Sequence, residues 1–189
     1  MGFTRAIDAH AHLKHPSFTH PWGKRAADAA PAELARIAGP DIASCESVRV
    51  AGDDFDEAII NHMRKSYNLT IGEQTAERIK IEIGSAAPVG EPRSMEVRGR
   101  DMVSGLPRKT VVSSDEIRES LQEPVHAIVE AVLRTLERAE PELAADLVER
   151  GITLAGGGAL LRGLPVVVAN ATGLDVRVAE DPLTCVARG

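Results

Sequence analysis

At 189 residues, 43% of them apolar, the chain can bury a core without disulfide or metal staples. Its net charge of -6, from 28 acidic against 22 basic residues, argues against nucleic acid as a partner, because neutralising phosphates needs a basic surplus. No apolar run reaches the ~18 residues of a spanning helix, and Cys45 and Cys185 lack a CxxC spacing or a preceding secretory signal, which predicts a reducing, cytoplasmic setting.

Residues 1–46 carry His10, His12, His15 and His20 in a Pro/Ala-rich stretch with little periodicity, and read as a leader unlike the rest. Within it, "IDAHAHL" has the strand-then-HxH look of a metal-dependent amidohydrolase, with His10 and His12 as zinc ligands. Such a barrel needs ~200 or more residues and further ligands from later strands, so this stays an alternative reading, as does incidental metal binding by the leader.

"ESVRVAGDD" predicts a short strand, Val48 and Val50 alternating with Arg49, with Asp53 placed to cap a helix. "DDFDEAIINHMRKSYNL" sets Phe55, Ile59, Met63 and Tyr67 at steps of four, one apolar stripe, with acids early and Arg64 and Lys65 late to complement the helix dipole. "IGEQTAERIKIEIGSA" predicts another helix through Ile79 and Ile83, stopped at Gly84. On a second face Glu77, Lys80 and Gly84 align, which taken alone reads as a solvated polar stripe.

"SMEVRGRDMVSGLPRKTVVSS" predicts a β-hairpin turning at "SGLP". Its basic cluster, Arg98, Arg100, Arg108 and Lys109, reads as a solvated hairpin surface. Ser113 and Glu116 form a capping-box pattern for a short helix. A second helix is placed to start at Pro124, burying Val125, Ile128, Val132 and Leu136, with Pro141 beyond its end. "ELAADLVERG" is a further short helix, "ITLAGG" a buried strand, "ALLRGL" a helix, "LDVRVAE" a strand, and "DPLTCVARG" the start of something unfinished. Alternating strands and helices interrupted by one hairpin predict an α/β fold with an α+β insertion.

The glycine run in "GITLAGGGALLRGL" fails two phosphate motifs. Gly163 is followed by Leu-Pro rather than Lys-Ser/Thr, and a G-x-G-x-x-G started at Gly156 ends on Leu161. What remains is a strand end, a bare turn and a helix N-terminus able to meet an anion or a polar ring edge; the alternative is a tight turn packed against a neighbour.

The segments from "SVRVAGDDFDEAIINHMRKSYNLTIGEQTAERIKIEIGSA" through "SMEVRGRDMVSGLP", "SSDEIRESLQEPVHAIVEAV" and "PELAADLVERGITLAGGGALLRGL" to "VAEDPLTCVA" resemble the C-terminal half of the MreB family, bacterial actin-like rod-shape-determining proteins. The resemblance implies the second lobe of the actin/sugar-kinase/chaperone ATPase fold, with an inner subdomain at about 47–52 and 118–189 and an inserted outer subdomain at about 53–117. It implies ATP as ligand. Gly156, Gly157 and Gly158 would face the α-phosphate, ribose and base; Glu77 would accept from ribose hydroxyls, Lys80 would pack over the sugar and base, and Gly84 would leave room for the ring. It also implies self-assembly into filaments, association with the cell-wall elongation machinery and a place beneath the cytoplasmic membrane.

The family's Asp-x-Gly and Asp-Gly-Gly-Gly-Thr phosphate loops, its catalytic acid and its membrane-binding segments have no counterpart in this sequence. The expectation is a truncated or frame-shifted form in which the leader stands in place of the first lobe. Such a form would bind nucleotide weakly, with the Mg2+ site largely absent, would not hydrolyse it, and would self-associate through its bared cleft face. Capping filament ends is an alternative role.

Overall fold

The computed structural model describes residues 6–8, 48, 50–139 and 141–185. The HxH leader residues His10, His12, His15 and His20 lie outside these. Two sheets organise the described residues. One is parallel, ordered β1 (Ala6–Asp8), β5 (Ile152–Ala155), β6 (Val176–Val178), with Ile7 opposite Leu154 and Thr153 opposite Arg177. The other is antiparallel, ordered β2 (Leu69–Thr70), β3 (Ser94–Asp101), β4 (Pro107–Ser113).

Helix α1 (Gly52–Tyr67) buries the Phe55, Ile59 and Met63 stripe, each at most 1% exposed. Its cap differs from expectation. Ala51 is the N-cap, and the Asp54 carboxylate, not Asp53, accepts the Ala51 N–H at 2.6 Å. Ala51 has no polar side chain, so the acceptor must come from the first helical turn. Val48 and Val50 are in no strand, although Val50 packs on the core. Alternation supplies a face, but a strand also needs a paired neighbour.

Asn68 turns the chain in a left-handed conformation, φ 49°, into β2, which the sequence reading missed because two residues carry no period. Helix α2 (Glu73–Ile83) lays Ala76, Ile79 and Ile83 into the same core and ends at Gly84. The hairpin pairs Ser94 with Ser113 through Arg100 with Pro107, and puts Val97 and Val112 inside. At its tip Asp101 Oδ1 accepts from the Val103 and Ser104 N–H groups at 2.9 and 2.8 Å. The basic cluster is largely paired: Arg108 with Asp101 at 2.8 Å, and Arg98 and Lys109 with Glu96 at 3.3 and 3.1 Å.

The chain returns through α3 (Ser114–Ser120), α4 (Gln122–Glu137) and α5 (Pro141–Arg150). Pro124 sits inside the first turn of α4 rather than opening it, a position where its missing N–H costs nothing. The "ALLRGL" helix is absent. A 3₁₀ turn (Gly157–Leu160) follows β5, Leu161 is extended, and α6 (Leu164–Thr172) starts only after Gly163, whose φ of 79° ends any helical run. Leu164 and Val168 of α6 close the core.

Candidate functional site

The residues singled out by sequence fall on two elements. Glu77 and Lys80 project from α2, which Gly84 terminates; Gly156, Gly157 and Gly158 follow β5. Arg162, four residues after Gly158, ties that stretch to the end of α2. Its Nε and Nη2 donate to the carbonyls of Gly84 and Glu82 at 3.2 and 3.1 Å, and its own carbonyl accepts the Ala86 N–H at 2.7 Å. Ser85 and Arg162 also form a parallel bridge. Sequence reasoning missed Arg162. Its signal was a lone charge in an otherwise apolar "ALLRGL" run, the kind of residue that is kept near a core only when its donors are used.

The three glycines are not equivalent. Gly156 adopts φ 83° and ψ 171°, a conformation nearly closed to other residues, and donates to the Pro182 carbonyl at 2.6 Å. Gly158 has no such constraint, and a Cβ built on it meets no described residue within 4 Å. Its missing side chain is therefore unexplained by packing among the described residues. Gly84 is the reverse case, since a Cβ there would strike the Lys80 carbonyl oxygen at the helix end. The helix N-terminus expected directly after the glycines is replaced by the four-residue 3₁₀ turn. What the turn offers a ligand is bare main chain and its first unpaired N–H groups, without a helix dipole behind them.

On α2 Glu77 is exposed, with no hydrogen bond to its carboxylate from a described residue, so it can accept from hydroxyl donors. Lys80 is engaged with α1: Nζ donates to Asp56 Oδ2 at 2.8 Å and to the Gly52 carbonyl at 3.1 Å. Burial pushes the Asp56 carboxyl above its ordinary value, against the Lys80 hydrogen bond and charge, with Glu77 and Asp53 pushing the same way as burial. Among the described residues no three His, Cys, Asp or Glu side chains converge as metal ligands.

The MreB/Mbl protein family matches residues 27–189, beginning inside the stretch read as leader. The chain is 56% identical over 157 residues to the cell shape-determining protein MreB of Escherichia coli (strain K12), covering 83% of this chain and 45% of that protein. Among solved structures, MreB5 of Spiroplasma citri bound to ADP superposes with a TM-score of 0.76 at 42% identity, covering 78% of this chain and 45% of that one. The MamK double helical filament superposes at 0.57 with 23% identity, over 68% of this chain and 39% of that one, and so shares the fold. The chain spans about half the length of the relatives it matches. It carries the actin-like MreB fold and belongs to the MreB/Mbl family.

Proposed function

We propose that this chain is the adenosine-binding second lobe of a cell-shape-determining cytoskeletal subunit. In this reading it takes ATP, assembles into filaments beneath the cytoplasmic membrane and guides rod-shaped wall growth with the elongation machinery. One observation carries the nucleotide part: the bare Gly158 meets no described residue, and it lies four residues before Arg162, which fastens that stretch to the end of the helix bearing Glu77 and Lys80. Identity of 42% to a protein solved with ADP supports it.

Glu77 then accepts from ribose hydroxyls, Lys80 lies over the sugar and base, Gly84 borders the ring, and the Gly156–Gly158 main chain runs along the α-phosphate and ribose. Residues 47–52 and 118–189 form the inner subdomain and 53–117 the inserted outer one. Phosphoryl transfer depends on metal and phosphate positioning, and no residue here is given that task. The chain alone binds nucleotide without hydrolysing it, and Mg2+ adds little.

Titration with ATP, with and without Mg2+, tests this on the unmodified chain and on Gly158→Ala. A Kd near 1 mM, about -4 kcal/mol, is expected, indifferent to Mg2+. Gly158→Ala should keep its stability within about 0.5 kcal/mol and bind at least ~10-fold more weakly, because the new methyl occupies ligand space and nothing else. No saturable binding, or a Gly158→Ala variant that binds as well as the parent, would sink the reading.

A further inference from the structure

The Lys80 ammonium is held by α1 before any ligand arrives. Two of its three N–H donors go to Asp56 Oδ2 and the Gly52 carbonyl, and the third meets no acceptor among the described residues. Both side chains are largely buried, Lys80 at 17% and Asp56 at 14% exposure. The arrangement is poor for stability by itself. Buried ion pairs seldom repay their desolvation, and Asp56 Oδ1 is buried without accepting a hydrogen bond from any described residue, a cost that a better-packed pair would avoid. Such a pair does hold one geometry. Left alone, a lysine of four rotatable bonds on a helix surface would sample many.

The charge around the ammonium adds a second constraint. The Asp56 carboxyl beside the ammonium also feels the negative charges of Glu77 and Asp53, against the positive charge of Lys80. A site of that sign disfavours phosphate oxygens and suits hydroxyl donors.

We propose that Asp56 is a positioning residue for nucleotide: it fixes the Lys80 ammonium over the sugar, so that α1 contributes to binding without touching the ligand. The proposal rests on the reading of Lys80 as a nucleotide contact. It makes the contribution of Asp56 specific to the nucleoside half and dependent on Lys80.

NMR-detected titration reads millimolar affinities, and it is applied to the full chain and to Asp56→Asn, Lys80→Met, the double variant and Asp56→Glu, each checked for its fold by circular dichroism. Asp56→Asn is expected to weaken ATP and adenosine by the same factor, at least ~5-fold. It should change nothing further once Lys80 is Met, and Asp56→Glu, which keeps the charge, should recover part of the loss. A purely structural Asp56 would lower the unfolding temperature and leave affinity below that temperature unchanged. Asp56→Asn binding as tightly as the parent, or losing the same factor with and without Lys80, overturns the role of Asp56 alone. A parent chain that binds neither ligand overturns the nucleotide reading and this inference with it.

Discussion

Glu116 shows how a locally legible residue acquires a partner that no local pattern shows. Its carboxylate accepts from the Ser113 N–H at 2.9 Å and hydroxyl at 2.7 Å, and from the Tyr67 hydroxyl at 2.6 Å. The Ser113 hydroxyl, followed by Tyr67, holds the Glu116 carboxyl down at about 2, and the same Glu116 bond pushes the Tyr67 phenol up to about 12. A depressed carboxyl adds stability above its unfolded pKa of ~4.3 and loses it as pH falls toward the folded value. A raised phenol adds stability below ~10 and loses it as pH climbs toward its folded value. Urea unfolding followed against pH should therefore show a shoulder at each end. In Tyr67→Phe the alkaline shoulder should vanish, the acid one should shrink, and stability near neutrality should fall by about 1 to 2 kcal/mol; an unchanged alkaline limb would count against the bond. The Ser113/Glu116 spacing of three announced the cap in the sequence. Tyr67, 49 residues away, read only as the last apolar step of α1.

Helices with a full apolar stripe were readable because burial follows period. Phe55, Ile59 and Met63, then Ile79 and Ile83, lie where their spacing puts them. The stretch after β5 was not, because six apolar-rich residues fit a helix and a packed turn equally, and backbone dihedrals decide between them. Gly163 is the deciding residue: φ is 79°, and a Cβ would lie 2.8 Å from the Ala87 nitrogen. Gly163→Ala should cost about 1 to 3 kcal/mol, more than Gly158→Ala, and thermal melts of the two side by side test the order. Arg162→Ala removes both guanidinium bonds to the end of α2. It should raise the hydrogen-exchange rate of the Ala86 amide, which bonds the Arg162 carbonyl, while the hairpin amides keep their protection. Equal loosening of the hairpin would mean that Arg162 supports the fold at large and not only the join to the end of α2.

Across the chain, the α/β alternation with one inserted hairpin gave the fold class from pattern alone, and the resemblance gave the family. The site needed more. Glu77, Lys80 and Gly84, which the proposed function takes as ligand contacts, read as solvated surface by pattern alone, since periodicity separates inside from outside but does not tell a ligand from water. The join through Arg162 spans 78 residues from Gly84 and leaves no local trace. That distance, together with the pairing of Ala6–Asp8 with Thr153–Ala155, has a consequence in time. The antiparallel sheet closes mainly through a short hairpin, whereas the parallel sheet and the Arg162 join close long loops, which is slow. Pulse-labelled exchange during refolding should protect the β3 and β4 amides well before those of Ala86 and β5. On the proposed function, the join that brings the nucleotide residues together forms last, so a bound nucleotide would leave the folding rate unchanged and slow unfolding instead.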